Sequence, residues 1–426
     1  MLKCLQINLR SVTVMVLENF DELIKKYANL IVTTGINVQE GHTVHLSVSV
    51  DNAQLGRAIT KAAYEKGARE VIVDWSDDPL SRLSFEYQSK ETLTDVPDYR
   101  IEKMNYLLKH GASRVGIISS DPDNLNGIDG EKIAAAQKAN AEALKPMREA
   151  SQANKISWTL GAAASPEWAA KVFPDLETEE DQVDALWDAI FKAIHLYDED
   201  PVATWAKKDK TLTNKADELN DEQFVALHYT APGTDLTIGL PDGHRWEGAG
   251  SDNVRGERFM ANMPTEEVFT APDANRVDGK VVSTKPLSYA GSVIEGMEFE
   301  FKDGKVVSFS ADKGQDVIEK LLEQDEGASR LGEVALVPHE SPISQSGLTF
   351  FNTLFDENAS NHVALGSAYA FSLEGGTEMS EEELKEAGLN RSTTHVDFMI
   401  GSADMDIDGI KADGTRVPIF RNGTWA

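Results

Sequence analysis

The sequence predicts an α/β protein with an N-terminal domain of helices covering a parallel sheet and a C-terminal domain of mixed α+β structure. Up to about residue 172, short apolar strand segments alternate with amphipathic helical segments, which is the β-α-β rhythm of a parallel sheet. From about residue 224 the pattern changes to short strands separated by Gly, Pro and Asp turns. That change, in a chain of 426 residues, predicts a second domain built differently from the first.

The N-terminal elements follow from hydrophobic periodicity and from glycine stops. Apolar residues at helical spacing predict helices, and short β-branched runs predict strands. The predicted strands are 42–50, 71–75, 115–119 and 156–160, and the predicted helices are 17–31, 53–66, 99–110, 132–149 and 166–172. No glycine-rich phosphate loop follows any of these strands, so we interpret this half as a scaffold.

The middle and the end of the chain complete the division into domains. Residues 175–220 are acidic and predicted to be helical, with a solvated charged face. Beyond them, the predicted strands are 235–240, 281–284, 292–301, 305–310, 334–337 and 397–400, with one helix at 315–322. We place the domains at residues 15–205 and 206–426. Residues 1–14 are expected to be an upstream extension, because a helical pattern begins soon after Met15.

Composition excludes several classes of partner. The net charge of -30 repels phosphate backbones and anionic membrane surfaces, so we expect neither nucleic-acid binding nor membrane binding. No apolar run is long enough to span a bilayer. The single cysteine, Cys4, allows no disulfide framework and no thiolate metal cluster. We therefore expect a cytoplasmic protein.

Chemistry-bearing residues gather in the last third of the chain. His395 and Asp397 are one residue apart in a predicted strand, so both side chains project from the same face. Glu266 and Glu267 are adjacent, so only one of them easily faces a given metal ion, and the other is a neighbouring group or a proton carrier. The alternatives are a hydrogen-bonded structural His–Asp pair and two surface glutamates.

Four further residues extend this set. Glu333 opens an apolar strand, and Glu357 and His362 lie in a polar turn that leads into an apolar segment. Tyr369 follows, and alone it would be assigned to the core. Imidazoles and carboxylates without cysteine suit one or two divalent ions of the Zn, Co, Mn or Mg type. In hydrolases, two such ions lower the pKa of a bound water, so the residues alone indicate a metal-assisted hydrolase.

Four sequence blocks carry a resemblance to a known family. They are NMPTEEVFTAPD from residue 262, LGEVALVP from 331, FDENASNHVALGSAY from 355 and HVDFMIGS from 395. In this order they resemble the M29 family of metallo-aminopeptidases, of the aminopeptidase T, aminopeptidase S and PepS type. The resemblance extends from Met15 to the C-terminus.

The resemblance implies roles for the candidate residues. It implies that two metal ions are held by Glu267, Glu333, His362, His395 and Asp397. Either Asp397 or Glu333 would bridge the ions. Glu357 would be a further ligand or a close neighbour, and Tyr369 would donate a hydrogen bond to the developing oxyanion. Glu266 is left as a partner for the substrate α-amine or for the attacking water. The resemblance also implies a catalytic C-terminal domain and a homodimer.

We therefore expect a metal-dependent aminopeptidase that releases N-terminal amino acids from short peptides by means of a metal-activated water at a dinuclear site. One alternative is a non-catalytic protein that binds metal or peptide. Another is a metal-dependent amidohydrolase that acts on non-peptide substrates. Peptides with free and with blocked N-termini distinguish these possibilities, because only an aminopeptidase requires the free amine.

Overall fold

The computed structural model describes residues 17, 19–290 and 292–426. The predicted extension, residues 1–14, lies outside the described residues. The predicted fold class is confirmed, because a parallel sheet with helices occupies the first half and antiparallel sheets occupy the second.

The N-terminal sheet is parallel throughout and has the strand order β2-β1-β3-β4. Its strands are β1 (Thr43–Ser49), β2 (Glu70–Ser76), β3 (Ser113–Ile118) and β4 (Trp158–Ala162). The helices of this half are α1 (Phe20–Leu30), α2 (Ala53–Glu65), α3 (Asp78–Tyr87), α4 (Lys90–Thr94), α5 (Asp98–Lys109), α6 (Gly130–Ala143), α7 (Lys145–Gln152) and α8 (Pro166–Val172).

Two helical predictions in this half differ from the structure. The single helix predicted at 132–149 is two helices, α6 and α7, that meet at Leu144. Pro146 lies in the first turn of α7, where the backbone N–H has no partner within the helix, so its absence costs nothing. Inside a continuous helix the same proline would remove a backbone hydrogen bond and break the helix. Helices α3 and α4 were not predicted, and neither of them contributes a buried residue to the core.

The predicted acidic helical bridge consists of α9 (Glu179–Ala193) and α10 (Pro201–Glu222). Helix α9 packs on α1 through aromatic contacts, with 5.4 Å between the ring centroids of Phe20 and Trp187. The predicted division at residues 205 and 206 falls inside α10, and one buried apolar cluster contains residues from both halves. The division into two domains therefore stays a prediction.

The second half contains the remaining strands and helices. The strands are β5 (Ala226–Ala231), β6 (Thr234–Gly239), β7 (Gly250–Asp252), β8 (Arg258–Met260), β9 (Val268–Thr270), β10 (Val277–Val282), β11 (Leu287–Tyr289), β12 (Ser292–Ile294), β13 (Glu298–Lys302), β14 (Lys305–Ser310), β15 (Leu331–Leu336), β16 (His362–Gly366), β17 (His395–Met399), β18 (Asp406–Ile410), β19 (Arg416–Arg421) and β20 (Thr424–Trp425). The helices are α11 (Gln315–Leu322), α12 (Pro342–Gln345), α13 (Thr353–Asp356) and α14 (Glu381–Glu386).

One strand prediction in this half was wrong in extent. The segment predicted as a single strand at 292–301 forms β12 and β13. Gly296 separates them, and its φ of 63° is a left-handed conformation that glycine adopts without a Cβ penalty. The chain therefore turns at Gly296, and the two strands join different sheets.

Two antiparallel sheets dominate the second half. The larger one has the order β14-β13-β10-β6-β5-β18-β19-β20, and the smaller one has the order β17-β16-β15-β9. The two sheets contact each other where Phe398 of β17 packs on Phe299 of β13, with 5.0 Å between ring centroids. The smaller sheet carries the chemistry-bearing residues on its other face. Among the described residues, no helix combines the length and the apolar character that crossing a membrane requires.

Candidate metal centre

Strand pairing in the smaller sheet brings the predicted ligands to one face. Glu333 of β15 and Asp397 of β17 both pair with Ala364 of the central strand β16, so their side chains flank that alanine. His395 lies two residues before Asp397, and His362 lies two residues before Ala364. Because side chains alternate along a strand, all four groups project from the same face.

Glu267 joins this face from the edge of the sheet. It precedes β9, in which Phe269 pairs with Ala335 of β15. Ala335 lies two residues from Glu333 and opposite His362, which places Phe269 and Glu267 on the ligand face. The observed distance agrees, since Glu267 Oε2 lies 3.0 Å from His362 Nε2.

The ligand atoms form two groups of three that share Glu333. One group is Glu267, Glu333 and His362, and the other is Glu333, His395 and Asp397. In each group the candidate atoms lie within 4.8 Å of one another. Glu333 Oε1 lies 3.6 Å from His362 Nε2, whereas Glu333 Oε2 lies 3.5 Å from His395 Nε2. The two oxygens of the Glu333 carboxylate therefore face different groups.

Backbone carbonyls orient both imidazoles. His362 Nδ1 lies 3.1 Å from the Ser360 carbonyl oxygen, and His395 Nδ1 lies 2.7 Å from the Ser367 carbonyl oxygen. A carbonyl only accepts, so Nδ1–H donates in each ring and Nε2 stays available as a ligand atom. His395 Nε2 lies 3.5 Å from Asp397 Oδ1, which completes the second group.

Electrostatics show that the centre attracts positive charge. Burial opposes a charge on His395, but Asp397 and Glu333 outweigh it and raise the pKa of the imidazole to about 10. Burial likewise opposes a charge on His362, yet contacts with Glu267 and Glu333 raise its pKa well above the usual value. Burial is the main cause that raises the pKa of Glu333. Without a bound cation, protonated imidazoles therefore offset the negative charge of the buried carboxylates.

The residues fit divalent cations. Glu267 Oε2 and Asp397 Oδ1 are buried oxygen atoms that find no hydrogen-bond partner among the described residues. His362 Nε2 lies close to Glu267 Oε2, but this contact is not aligned as a hydrogen bond. Buried carboxylate oxygens without partners are costly unless they bind a cation. Imidazole nitrogens and carboxylate oxygens are the donor types that Zn, Co and Mn accept.

Glu357 and Tyr369 border the two ligand groups. Glu357 is buried, and its Oε1 accepts from Asn262 Nδ2 at 3.5 Å and from Asn358 Nδ2 at 3.4 Å. Burial, followed by the charges of Asp397 and Glu267, raises the pKa of Glu357 well above its usual value. The ring centroid of Tyr369 lies 5.1 Å from that of His395. Burial and the neighbouring carboxylates raise the pKa of the Tyr369 phenol, so its hydroxyl stays protonated.

Comparison with known proteins gives the family. The sequence model described as thermophilic metalloprotease (M29) matches residues 20–425. The chain belongs to the M29 metalloprotease family. It is 58% identical to aminopeptidase PepS of Streptococcus thermophilus over 411 residues, which are 96% of this chain and 100% of that protein. It is 52% identical to aminopeptidase AmpS of Bacillus subtilis (strain 168) over 410 residues, again 96% of this chain and 100% of that protein.

A solved structure supports the fold assignment of this M29 protein. Wild-type AmpT from Thermus thermophilus matches with a TM-score of 0.89 and 42% sequence identity. The match covers 96% of this chain and 100% of that chain. The family resemblance predicted from the four sequence blocks is therefore confirmed.

Glu266 lies away from the other predicted site residues of the M29 chain. Its Oε1 forms an ion pair with Lys208 Nζ of α10, and its side chain does not line the cavity beside the ligands. Burial raises the pKa of Glu266, and the charge of Lys208 opposes that shift. The structure thus brings together five of the predicted ligands and borders them with Glu357 and Tyr369, but it directs Glu266 elsewhere.

A cavity of about 660 Å³ opens beside the ligands. Its wall includes Glu267, Glu333 and Asp397 from the second half of the chain, together with Trp158 and Asp121 from the first half. The N-terminal half was predicted to be a scaffold, so these wall residues were not among the predicted site residues. No spacing or residue pattern indicates them, because they reach the cavity only through the packing of β4 and the loop after β3 against the second half.

Proposed function

We propose that this chain, a metal-dependent aminopeptidase of the M29 family, cleaves the first peptide bond of short peptides at a site that holds two divalent cations. The observation that carries the proposal is Glu333, whose two oxygens face two separate three-residue ligand groups. Single-ion sites need one such group, and two adjacent groups with a shared carboxylate suit a dinuclear centre. Of the two bridging candidates from the sequence, Asp397 and Glu333, this arrangement favours Glu333.

The residues of the chain hold and orient the reacting groups. Glu267 and His362 would hold one cation, His395 and Asp397 the other, with Glu333 between them. Divalent cations bound there would lower the pKa of a water molecule and polarise the peptide carbonyl. The protonated hydroxyl of Tyr369, beside His395, would donate a hydrogen bond to the oxygen that becomes negative. Glu357 completes the acidic surroundings of the centre.

The substrate class follows from charge and from the relatives. The cavity wall is acidic, with Asp78 and Asp121 in addition to the ligand carboxylates, and the whole chain carries -30. Such a field favours the cationic free α-amine of a peptide. The relatives are named aminopeptidases, in agreement with a requirement for a free N-terminus. We further propose that the protein works in the cytoplasm as a homodimer, as its family resemblance implies.

The proposal is tested with matched peptides and a site variant. We expect the purified enzyme to release the first residue from a short peptide with a free N-terminus and to leave the N-acetylated form of the same peptide intact. His395→Ala removes a ligand and is expected to reduce activity by at least 100-fold, in line with the loss of a metal ligand. The folding control is an unchanged circular dichroism spectrum of the variant.

Removal of metal provides the second arm of the test. A chelator is expected to abolish activity, and added Zn, Co or Mn is expected to restore it. Equal cleavage of the free and acetylated peptides would argue for a different amidohydrolase. Metal uptake without any peptide cleavage would instead indicate a binding protein.

A further inference from the structure

We propose that Glu266 is a positioning residue, and that its buried ion pair with Lys208 fixes the adjacent ligand Glu267 and thereby sets the affinity of the centre for metal. This inference rests on the proposed function, because it requires Glu267 to hold a cation. It departs from the sequence-based expectation that Glu266 contacts the substrate amine or the attacking water.

The first observation is that the two glutamates face opposite directions. Glu267 reaches His362, whereas Glu266 pairs with Lys208 on α10. Both partners of this ion pair are shielded from water, with 8% of the Glu266 side chain and 16% of the Lys208 side chain exposed. Lys208 Nζ also lies 5.4 Å from the centroid of the Trp205 ring, which fixes the position of the ammonium group.

The second observation concerns the backbone at Glu266. Its N–H donates to Asn358 Oδ1 at 2.6 Å, and Asn358 Nδ2 donates to the Leu354 carbonyl at 2.8 Å. Asn358 is buried and directly follows Glu357, so it links the glutamate pair to the turn that borders the centre. Glu266 is therefore held through its side chain by α10 and through its backbone by that turn.

The third observation explains why Glu267 needs this support. Strand β9 begins at Val268, so Glu267 lies outside the paired ladder of the smaller sheet. Its direction depends on the residues on either side of it in the chain. Without Lys208, Glu266 would be a buried carboxylate that lacks a counter-charge. The segment that contains Glu266 and Glu267 would then shift until water solvated the carboxylate or a proton neutralised it. A shift at Glu266 moves its neighbour Glu267 away from His362.

The test measures metal affinity and turnover in the full-length enzyme. The variants are Glu266→Gln and Lys208→Met, and the matched control is Lys207→Met, which changes an exposed lysine on the same helix. Zinc affinity is measured by competition with a chromogenic chelator, and kcat is measured at increasing zinc concentration. We expect both variants to bind zinc about 10–100-fold more weakly, as for other groups that orient metal ligands, with kcat recovering at high zinc. Lys207→Met should match the wild type.

Two further variants make the result decisive. Lys208→Arg keeps the positive charge and is expected to restore most of the zinc affinity. Lys208→Met combined with Glu266→Gln removes both buried charges, so it should fold even where a single variant does not, and it should still bind zinc weakly.

Two results would overturn the inference. Unchanged zinc affinity in Glu266→Gln, with kcat that stays low at saturating zinc, would make Glu266 a group that takes part in the reaction. Unchanged zinc affinity and unchanged kcat would leave the ion pair without influence on the centre. A wild-type enzyme that takes up no zinc, cobalt or manganese would instead overturn the proposed function itself.

Discussion

At the scale of the residue, the proposed metal centre has one small side chain between two of its candidate ligands. Ala364 is fully buried in β16 and pairs with Glu333 on one side and with Asp397 on the other. Directly opposed residues in neighbouring strands have Cβ atoms about 4.5–5.5 Å apart, so the three side chains compete for the same space. A methyl group leaves room for a cation between the carboxylates, and a larger side chain does not.

Ala364→Leu should therefore eliminate metal binding and activity. The added atoms fill the space between Glu333 and Asp397, and overpacking should also cost about 1–3 kcal/mol of unfolding free energy. Ala364→Gly is the control, because it keeps the space open and costs only about 0.5–1 kcal/mol. Metal titration and urea unfolding measure the two effects. Normal metal binding by Ala364→Leu would show that this space is not used.

The residue scale also shows what the sequence could predict of the site. His395 and Asp397 were predicted to share a face because the i, i+2 rule needs no partner strand. The i, i+2 rule alone does not decide between Glu266 and Glu267. The sequence does not show which face of the segment at residues 266–267 meets the other ligands. The pairing of β9 with β15 supplies this information, and it could not be predicted from local pattern.

At the scale of the element, the start of β17 is held by one acidic side chain. Asp325 accepts hydrogen bonds from Ser392 Oγ at 2.8 Å and from the backbone N–H and the hydroxyl of Thr393, each at 2.7 Å. It also accepts from the Ala328 N–H at 2.9 Å. These bonds fix residues 392 and 393, shortly before His395, so Asp325 connects the turn before β15 with the segment that leads into β17.

Asp325→Asn should destabilise the metal-free protein by about 1–3 kcal/mol, since several hydrogen bonds to a charged group are weakened or lost. Burial raises the pKa of Asp325, but the bonds from Thr393, Ser392 and Ala328 outweigh it and leave the pKa below its ordinary value. A lowered folded-state pKa contributes stability that is present above the unfolded-state pKa and lost as pH falls through the folded-state pKa.

Urea unfolding of the metal-free wild type and variant at a series of pH values checks this prediction. The difference in stability should be full at pH 7 and should shrink below pH about 4, the ordinary range of an aspartate. A difference that is independent of pH down to pH 3 would mean that the charge of Asp325 contributes nothing.

Element prediction succeeded where the local pattern was strong. The four N-terminal strands and most covering helices appear where hydrophobic periodicity predicted them, with ends shifted by a few residues. Helix α3 was not predicted, although Leu80, Leu83 and Tyr87 have helical spacing; in the structure all three side chains stay largely exposed. Strand β16, which carries His362, was read as a turn followed by an apolar segment, because its role depends on strands far away in the sequence.

At the scale of the whole molecule, the two halves of the chain build one cavity beside the proposed metal centre. Strand β4 contacts the tract before β9 directly, since the Leu160 N–H donates to the Ala261 carbonyl at 2.7 Å and the Met263 N–H donates to the Leu160 carbonyl at 2.9 Å. Trp158 of the same strand lines the cavity. The parallel sheet therefore contributes to the wall of the cavity that we propose for the substrate, and it contacts the tract that leads to Glu267.

Trp158→Ala should weaken substrate binding and leave the metal centre intact. Loss of an aromatic wall is expected to raise KM for a peptide about tenfold, which corresponds to about 1.4 kcal/mol, with zinc affinity unchanged. The control is Trp75→Ala on β2, at the opposite edge of the same sheet, because Trp75 is 47% exposed and does not line this cavity. An unchanged KM for Trp158→Ala would show that Trp158 takes no part in substrate binding.

The central claim is that Glu333 joins two metal positions, and the number of divalent ions bound per chain tests it most directly. Metal-free enzyme is titrated with zinc, and the saturated protein is then analysed for its metal content. The account predicts two ions per wild-type chain, one after His362→Ala or His395→Ala, and none after Glu333→Ala at the same free zinc concentration. One ion per wild-type chain, or two ions retained by Glu333→Ala, would contradict it.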